Sequence, residues 1–149
     1  AMRQAIGSNG LSLRDAVSLA AIVEREAVVA DERPIIASVF YNRLAQEMLL
    51  QADPTIQYAL GYQVASDSWW KAPLSLDDLK FDSPYNSYLY PGLPPSPIAN
   101  PSLASLEAVA FPAETAYIFF VADCNATPRG EHLFSITFDE HLANVEQCS

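Results

Sequence analysis

The sequence predicts an α+β fold, mostly helical, with one small antiparallel β-hairpin. Three stretches carry that prediction. Residues 12–27 run without Gly or Pro and repeat their apolar side chains at helical spacing. Residues 115–122 (TAYIFFVA) are a dense β pattern, and residues 132–136 can supply the returning strand. Residues 83–101 can be neither, because six of the eleven prolines fall there.

The first helix is expected over residues 12–27. Ser12 is a good N-cap, and Asp15 three residues later completes a capping-box-like start. At about 100° per residue, Leu13, Val17, Ala20 and Ala27 fall on the side of Glu24. Arg14, Asp15, Ser18, Arg25 and Glu26 gather opposite, with Ile22 an apolar exception. The projection therefore puts Glu24 in the core-facing stripe and Glu26 on the wet face. A carboxyl in apolar surroundings resists ionisation, and a raised pKa suits a general acid. A structural Glu, paired with an Arg such as Arg43 or capping a turn, fits the same pattern.

A second helix is expected over residues 31–46. Asp31 caps it, Pro34 sits in its first turn, and Ile35, Ile36, Val39, Phe40 and Leu44 form its stripe. Asn42 lies one residue off that stripe, where its amide can bond within the helix pair or reach a site. Asp53-Pro54 reads as an N-cap and first-turn pair for a short helix ending at Gly61. Asp53 thus reads as a cap. Residues 62–74 read as loop; Trp69 and Trp70 within it fit the core better than the alternative, a surface for stacking ligands, and Ser75 with Asp78 opens another short helix.

The segment at 83–101, SPYNSYLYPGLPPSPIANP, also holds three of the seven tyrosines. It reads as a stiff, extended loop. Its rings, hydroxyls and amides suit a polar ring-shaped ligand such as a sugar. Asn100 is expected to cap a helix over residues 101–110, and a last helix is expected over 138–147.

At 149 residues the chain reads as one domain with room for a core. The net charge of −10 argues against general binding to nucleic acid or an anionic membrane surface. No apolar run has the length of a membrane span. Cys124 and Cys148 allow one disulfide, which would imply an oxidising compartment; neither sits in a CxxC, and the reading leans towards free thiols.

Several chemistries lack their residues. There is no GxGxxG, P-loop or GxSxG elbow. His132 and His141 stand nine apart, outside metal-ligand spacing, so no metal is expected. Lys71 and Lys80 are the only lysines, both in polar surroundings, so no pyridoxal-type cofactor is expected either. A carboxyl in an apolar setting beside an aromatic, polar loop fits glycosidic-bond chemistry best.

Six blocks in order carry a resemblance. They are AAIVERE at 20–26, ERPIIASVFYNRL at 32–44, MLLQADPTIQYALG at 48–61, the loop at 83–101, FFVAD at 119–123 and HLFSITFDEHLANV at 132–145. Together they resemble the catalytic domain of the endolytic murein transglycosylases, the YceG-like family, over nearly the whole chain. The resemblance implies a lysozyme-like or cortex-lytic-like helical domain. It implies cleavage of the β-1,4 bond between N-acetylmuramic acid and N-acetylglucosamine within peptidoglycan, leaving 1,6-anhydro ends. It places the catalytic acid/base at Glu24, with Asn42 standing 18 residues later as in related cortex-lytic domains. Gln51, Asp53, Thr55, Tyr85, Asn86, Ser87 and Tyr88 match segments that line the family's cleft. It also implies an N-terminal membrane anchor and a LysM-like region outside this chain, a location at the outer face of the bacterial cytoplasmic membrane, and cell-wall synthesis proteins as further partners. Departures are Ala27 for a usual Thr, Ser87 for Thr, and a bulkier turn after FVAD. A hydrolase on the same bond and a non-catalytic glycan-binding module remain the alternatives.

Overall fold

A computed structural model describes all 149 residues. Six helices and one two-stranded antiparallel sheet follow in chain order. They are α1 (Met2–Ser8), α2 (Leu13–Glu26), α3 (Arg33–Ala45), α4 (Asp53–Leu60), α5 (Leu103–Ala110), β1 (Phe119–Ala122), β2 (His132–Ser135) and α6 (Phe138–Glu146). The α+β expectation holds.

Helix α2 is the axis of the molecule. Ser12 caps it, its hydroxyl accepting the Asp15 N–H at 3.1 Å. Ala16, Leu19, Ala20, Ala21, Ile22 and Val23 have no exposed surface. They pack against Ile6 of α1, Ile36, Ala37 and Phe40 of α3, Ala108, Val109 and Ala110 of α5, and Leu50 and Ile98 from loops. Full burial of side chains such as Leu19 and Ile22 contributes about 1.5–3 kcal/mol each. α2 is thus enclosed on several sides over its second half, and no single stripe of it faces the core.

The last carbonyls of α5, left without partners inside the helix, are taken by α1 and α3. Asn9 Nδ2 donates to Ala110 O at 3.0 Å, and the Tyr41 hydroxyl donates to Val109 O at 2.7 Å. Helix α1 was not anticipated. Its short sequence has one buried residue, Ile6, and no side-chain cap, so its periodicity is weak.

The hairpin pairs Phe119 with Ser135 and Ala122 with His132. Phe120 meets Phe40 of α3 edge-on at 5.9 Å, which turns that face of the hairpin towards the helices. The chain before β1 is bolted to α3. Asn42 Nδ2 donates to Thr115 O and Tyr117 O at 2.8 and 2.9 Å, and Arg43 Nε donates to Ile118 O at 2.7 Å. Helix α6, capped by Thr137, packs on β1 and β2.

Four local expectations are corrected. Cys124 and Cys148 form a disulfide, Cα–Cα 5.6 Å, because the hairpin turn and the end of α6 meet. Ser102, not Asn100, caps α5, since the chain stays extended through Pro101 and turns helical only at Leu103. Asp53 is the first residue of α4 rather than its cap, and Ala52 holds the cap position. The tryptophans lie outside the core: Trp69 is 65% exposed, and Trp70 lies under the Arg25 guanidinium at 3.7 Å.

Candidate active site

A cavity of about 320 Å³ opens where the C-terminal end of α2, the start of α4 and the hairpin converge. That is near the lower end of small-ligand pockets, roughly 300–1,000 Å³. Phe40, Leu50, Phe120, Val121 and Ala122 give it apolar walls. Glu26, Arg43, Gln51, Asp53, Tyr88 and His132 supply its polar groups.

Glu26 is the last residue of α2. Burial, and then the neighbouring Asp53 carboxylate, push its pKa up to about 8, while Arg43 partly opposes the rise. No protein group donates a hydrogen bond to this carboxyl. Arg43 makes no hydrogen bond to Glu26; the bonds it makes run to backbone carbonyls. It donates to Ile118 O from Nε, and to Leu49 O and Leu50 O from one terminal nitrogen at 3.0 and 3.1 Å. At neutral pH Glu26 is therefore a protonated acid facing a cavity.

Asp53 contrasts with it. The Tyr88 hydroxyl donates to Asp53 Oδ1 at 2.5 Å. Tyr88 is held well above the usual phenol range by burial and by that bond, so it stays a donor. Gln51 enters the cavity from a backbone with φ of 49°. That left-handed conformation costs a non-glycine residue roughly 1–2 kcal/mol, a kind of strain that gathers at functional sites.

Glu24 points elsewhere. Its Oε2 accepts the Ser102 N–H at 3.1 Å, the Ser102 hydroxyl at 2.7 Å and the Ser105 hydroxyl. These donors sit at the N-terminus of α5, where the helix dipole also favours an anion. The Ser105 and Ser102 hydroxyl bonds, in that order, hold Glu24 below the ordinary carboxylate range. The expected raised pKa and apolar setting for Glu24 are corrected on this geometry. It is an ionised tie between α2 and α5.

The sequence pattern of the YceG-like family matches residues 1–147. The chain belongs to the YceG-like family. It is 42% identical over 133 residues to the endolytic murein transglycosylase of Bacillus subtilis (strain 168), covering 89% of this chain and 34% of that protein. It is 32% identical over 142 residues to the endolytic murein transglycosylase of Streptococcus pneumoniae serotype 2 (strain D39), covering 95% of this chain and 25% of that protein. The chain thus spans about a third or less of these relatives. Among solved structures, a yceG-like protein from Listeria monocytogenes superposes with a TM-score of 0.79 at 39% identity, over 95% of this chain and 42% of that one.

Within this YceG-like chain the sequence-derived site residues divide into two sets. Gln51, Asp53 and Tyr88 line the cavity with Glu26. Thr55, Asn86 and Ser87 are buried beneath it and occupied. Asn86 Nδ2 donates to Leu79 O and Phe81 O at 3.0 and 2.7 Å, and its Oδ1 accepts the Tyr88 N–H at 2.8 Å. The Ser87 hydroxyl accepts the Ala52 N–H at 3.0 Å and hydrogen-bonds the Thr55 hydroxyl at 2.7 Å. These three shape the loop that presents Tyr88; they do not line the cavity. Tyr85 bonds Ser96 Oγ at 2.6 Å and packs on Tyr58, away from Glu26. Asn42 braces the chain before β1.

Two cavity residues escaped the sequence reading. Glu26 had a signal. Leu19, Ile22 and Glu26 are spaced three and four apart, one stripe of a helix, and the first two are fully buried. His132 had none until the hairpin register placed it opposite Ala122 at the cavity wall.

Proposed function

We propose that this chain is the catalytic region of a peptidoglycan lytic transglycosylase and that Glu26 is its general acid. One observation carries the reading: Glu26 is an enclosed carboxyl with no protein hydrogen bond and a pKa near 8, in a cavity walled by apolar and polar groups. Membership of the YceG-like family and relatives named endolytic murein transglycosylases support the substrate class.

On this reading the β-1,4 bond between N-acetylmuramic acid and N-acetylglucosamine lies across the cavity. Protonated Glu26 donates to the bridging oxygen as the anomeric C–O bond breaks. The sugar's own 6-hydroxyl closes on the anomeric carbon, gives up its proton and leaves a 1,6-anhydro end. Such a step needs no attacking water and no covalent enzyme intermediate, unlike the usual two-carboxylate schemes. Tyr88 and Gln51 hold the sugar's polar groups. The lysozyme-like character expected from the sequence belongs to this reading, with a helix-borne acid in a cleft between a helical body and a β-hairpin. So does a place at the outer face of the bacterial cytoplasmic membrane, with an anchor, cell-wall synthesis partners and the rest of the length seen in relatives. No helix of this chain is long and apolar enough to cross a membrane.

A hydrolase on the same bond is the second reading, favoured by Asp53 sharing the cavity with Glu26. Mass spectrometry of digested peptidoglycan separates them. Anhydro ends from the parent, lost in Glu26→Gln, support the proposal. Hydrated reducing ends would replace it with hydrolysis. Glycan binding without cleavage would leave a binding module.

A further inference from the structure

We infer that His132, held by Glu32, is the base that takes the proton from the sugar's 6-hydroxyl, so that the acid and base roles fall on two different residues. The inference rests on the transglycosylase reading above and adds a residue to it.

The hairpin register puts His132 on the same face as Phe120 and Phe134. Phe120 is anchored against Phe40, and the His132 ring meets Phe120 edge-on at 5.3 Å. The imidazole is therefore fixed at the cavity wall. Its side chain is only 9% exposed. Glu32 grips it twice: one carboxylate oxygen accepts the His132 backbone N–H at 2.7 Å, and the other contacts Nδ1 at 2.7 Å. A carboxylate can only accept, so Nδ1 carries the hydrogen. In the neutral ring Nε2 is then a bare acceptor. Nε2 makes no hydrogen bond within the protein. It is also absent from the sealed polar atoms lacking a partner, which are Arg33 Nε, Ser135 Oγ and His141 Nδ1. The neutral form of the ring therefore carries an unpartnered, oriented lone pair, on a residue that lines the cavity holding Glu26.

The proton balance follows. Glu26 gives its proton to the bridging oxygen, and the anomeric C–O bond breaks. The 6-hydroxyl oxygen bonds to the anomeric carbon, and its proton passes to His132 Nε2. The resulting imidazolium is stabilised by the Glu32 carboxylate, the role of the buried acid in carboxylate–histidine pairs. Proton exchange with water then returns Glu26 to its acid form and His132 to its neutral form. Glu32 is a positioning residue here, since it acts through the ring. The other ionisable groups around this cavity are Arg43, Asp53 and Tyr88, and each is already engaged by hydrogen bonds within the protein.

The test compares the parent chain with His132→Asn and Glu32→Gln on purified peptidoglycan, read as anhydro ends released across a pH series. Asn keeps an N–H for Glu32 and lacks the base. The expected result is a fall of about 10²–10⁴-fold, sedimentation with insoluble peptidoglycan unchanged, and partial recovery with added imidazole. Glu32→Gln offers one acceptor oxygen where two are used. It favours the wrong ring tautomer and lowers the rate while binding persists. His132→Asn releasing anhydro ends at the parental rate and with the parental pH profile would overturn the inference and leave Glu26 acting alone. Hydrated ends from the parent itself would overturn the transglycosylase reading and this step with it.

Discussion

Glu24 and Glu26 stand two residues apart on one helix, and their surroundings drive them in opposite directions. At the α5 end, three donors converge on one oxygen of Glu24 and lower its pKa. At the cavity end, no donor reaches Glu26, and burial with Asp53 raises its pKa to about 8. Two residues turn a helix by roughly 200°, so the same sequence run feeds a structural tie and a chemical group. The difference teaches that a carboxylate's role is set by what the opposing element brings to it. α5 brings its capping serines, whereas the hairpin and α4 bring apolar walls and a second acid.

The sharpest way to break the comparison is to neutralise each acid in turn. Glu26→Gln is expected to lose about 10²–10⁴-fold in release of anhydro ends, while Glu24→Ala keeps at least a tenth of the parental rate at a temperature where it is folded. A dead Glu24 variant beside an active Glu26 variant would reverse the assignment. Stability comes next. Glu24→Ala strands the donors at the α5 cap and is expected to cost about 1–3 kcal/mol at pH 7, measured by urea titration. Because the folded pKa of Glu24 is depressed, its contribution is present above the unfolded carboxylate value and is lost as pH falls through the folded value. The gap between parent and variant should therefore close in acid.

Glu26 has the opposite sign. Its folded pKa is raised from 4.5 to about 8, so folding is penalised as pH climbs through that window. Glu26→Gln is expected to melt at a higher temperature than the parent at about pH 8–9, with the gain fading towards about pH 4.5. A gain that grew in acid would contradict the burial of this carboxyl. The smallest effect concerns Asp53. Removing its charge in Asp53→Asn should lower the Glu26 pKa by up to about one unit. The alkaline limb of the pH–rate profile then moves to lower pH. An unmoved limb would separate Asp53 from Glu26 electrically.

Much of the helical frame was legible in the sequence. Ser12, Pro34, Asp53-Pro54 and Gly61 punctuate α2, α3 and α4 close to their observed ends, because caps and turn residues act locally. The dense β pattern at 115–122 and the returning run at 132–136 located the hairpin for the same reason, although β1 begins only at Phe119. The orientation of α2 was not legible. A helical projection assumes one wet face, and α2 is enclosed by α1, α3, α4 and α5. Polar residues such as Ser18 are buried in it while Leu13 is 52% exposed. The family resemblance pointed to Glu24 on this helix, whereas the residue of α2 that lines the cavity is Glu26, two positions on. Asn86 and Ser87 were read as ligand groups because their side chains are polar. Burial turned that polarity inward, onto the backbone of their own loop and of the chain entering α4. The Cys124–Cys148 bridge depends on where α6 ends relative to the hairpin turn, which spacing alone does not encode.

The clasp between Glu32 and His132 joins residues 100 positions apart in the chain. Helices α1, α3 and α4 close on α2 through much shorter loops, whereas α5 returns from nearly as far, Ser102 reaching Glu24 and Asn9 reaching Ala110; long loops are entropically late to close. The cavity is therefore expected to form late as the chain folds, with the docking of α5 on α2 and of the hairpin on α3. A substitution at the α2 cap, Ser12→Ala, should act mainly by slowing refolding. Glu32→Gln should act mainly by speeding unfolding, since its contact is not yet made at the barrier. On that timetable, the residues that line the cavity meet only once distant parts of the chain have been drawn together around α2.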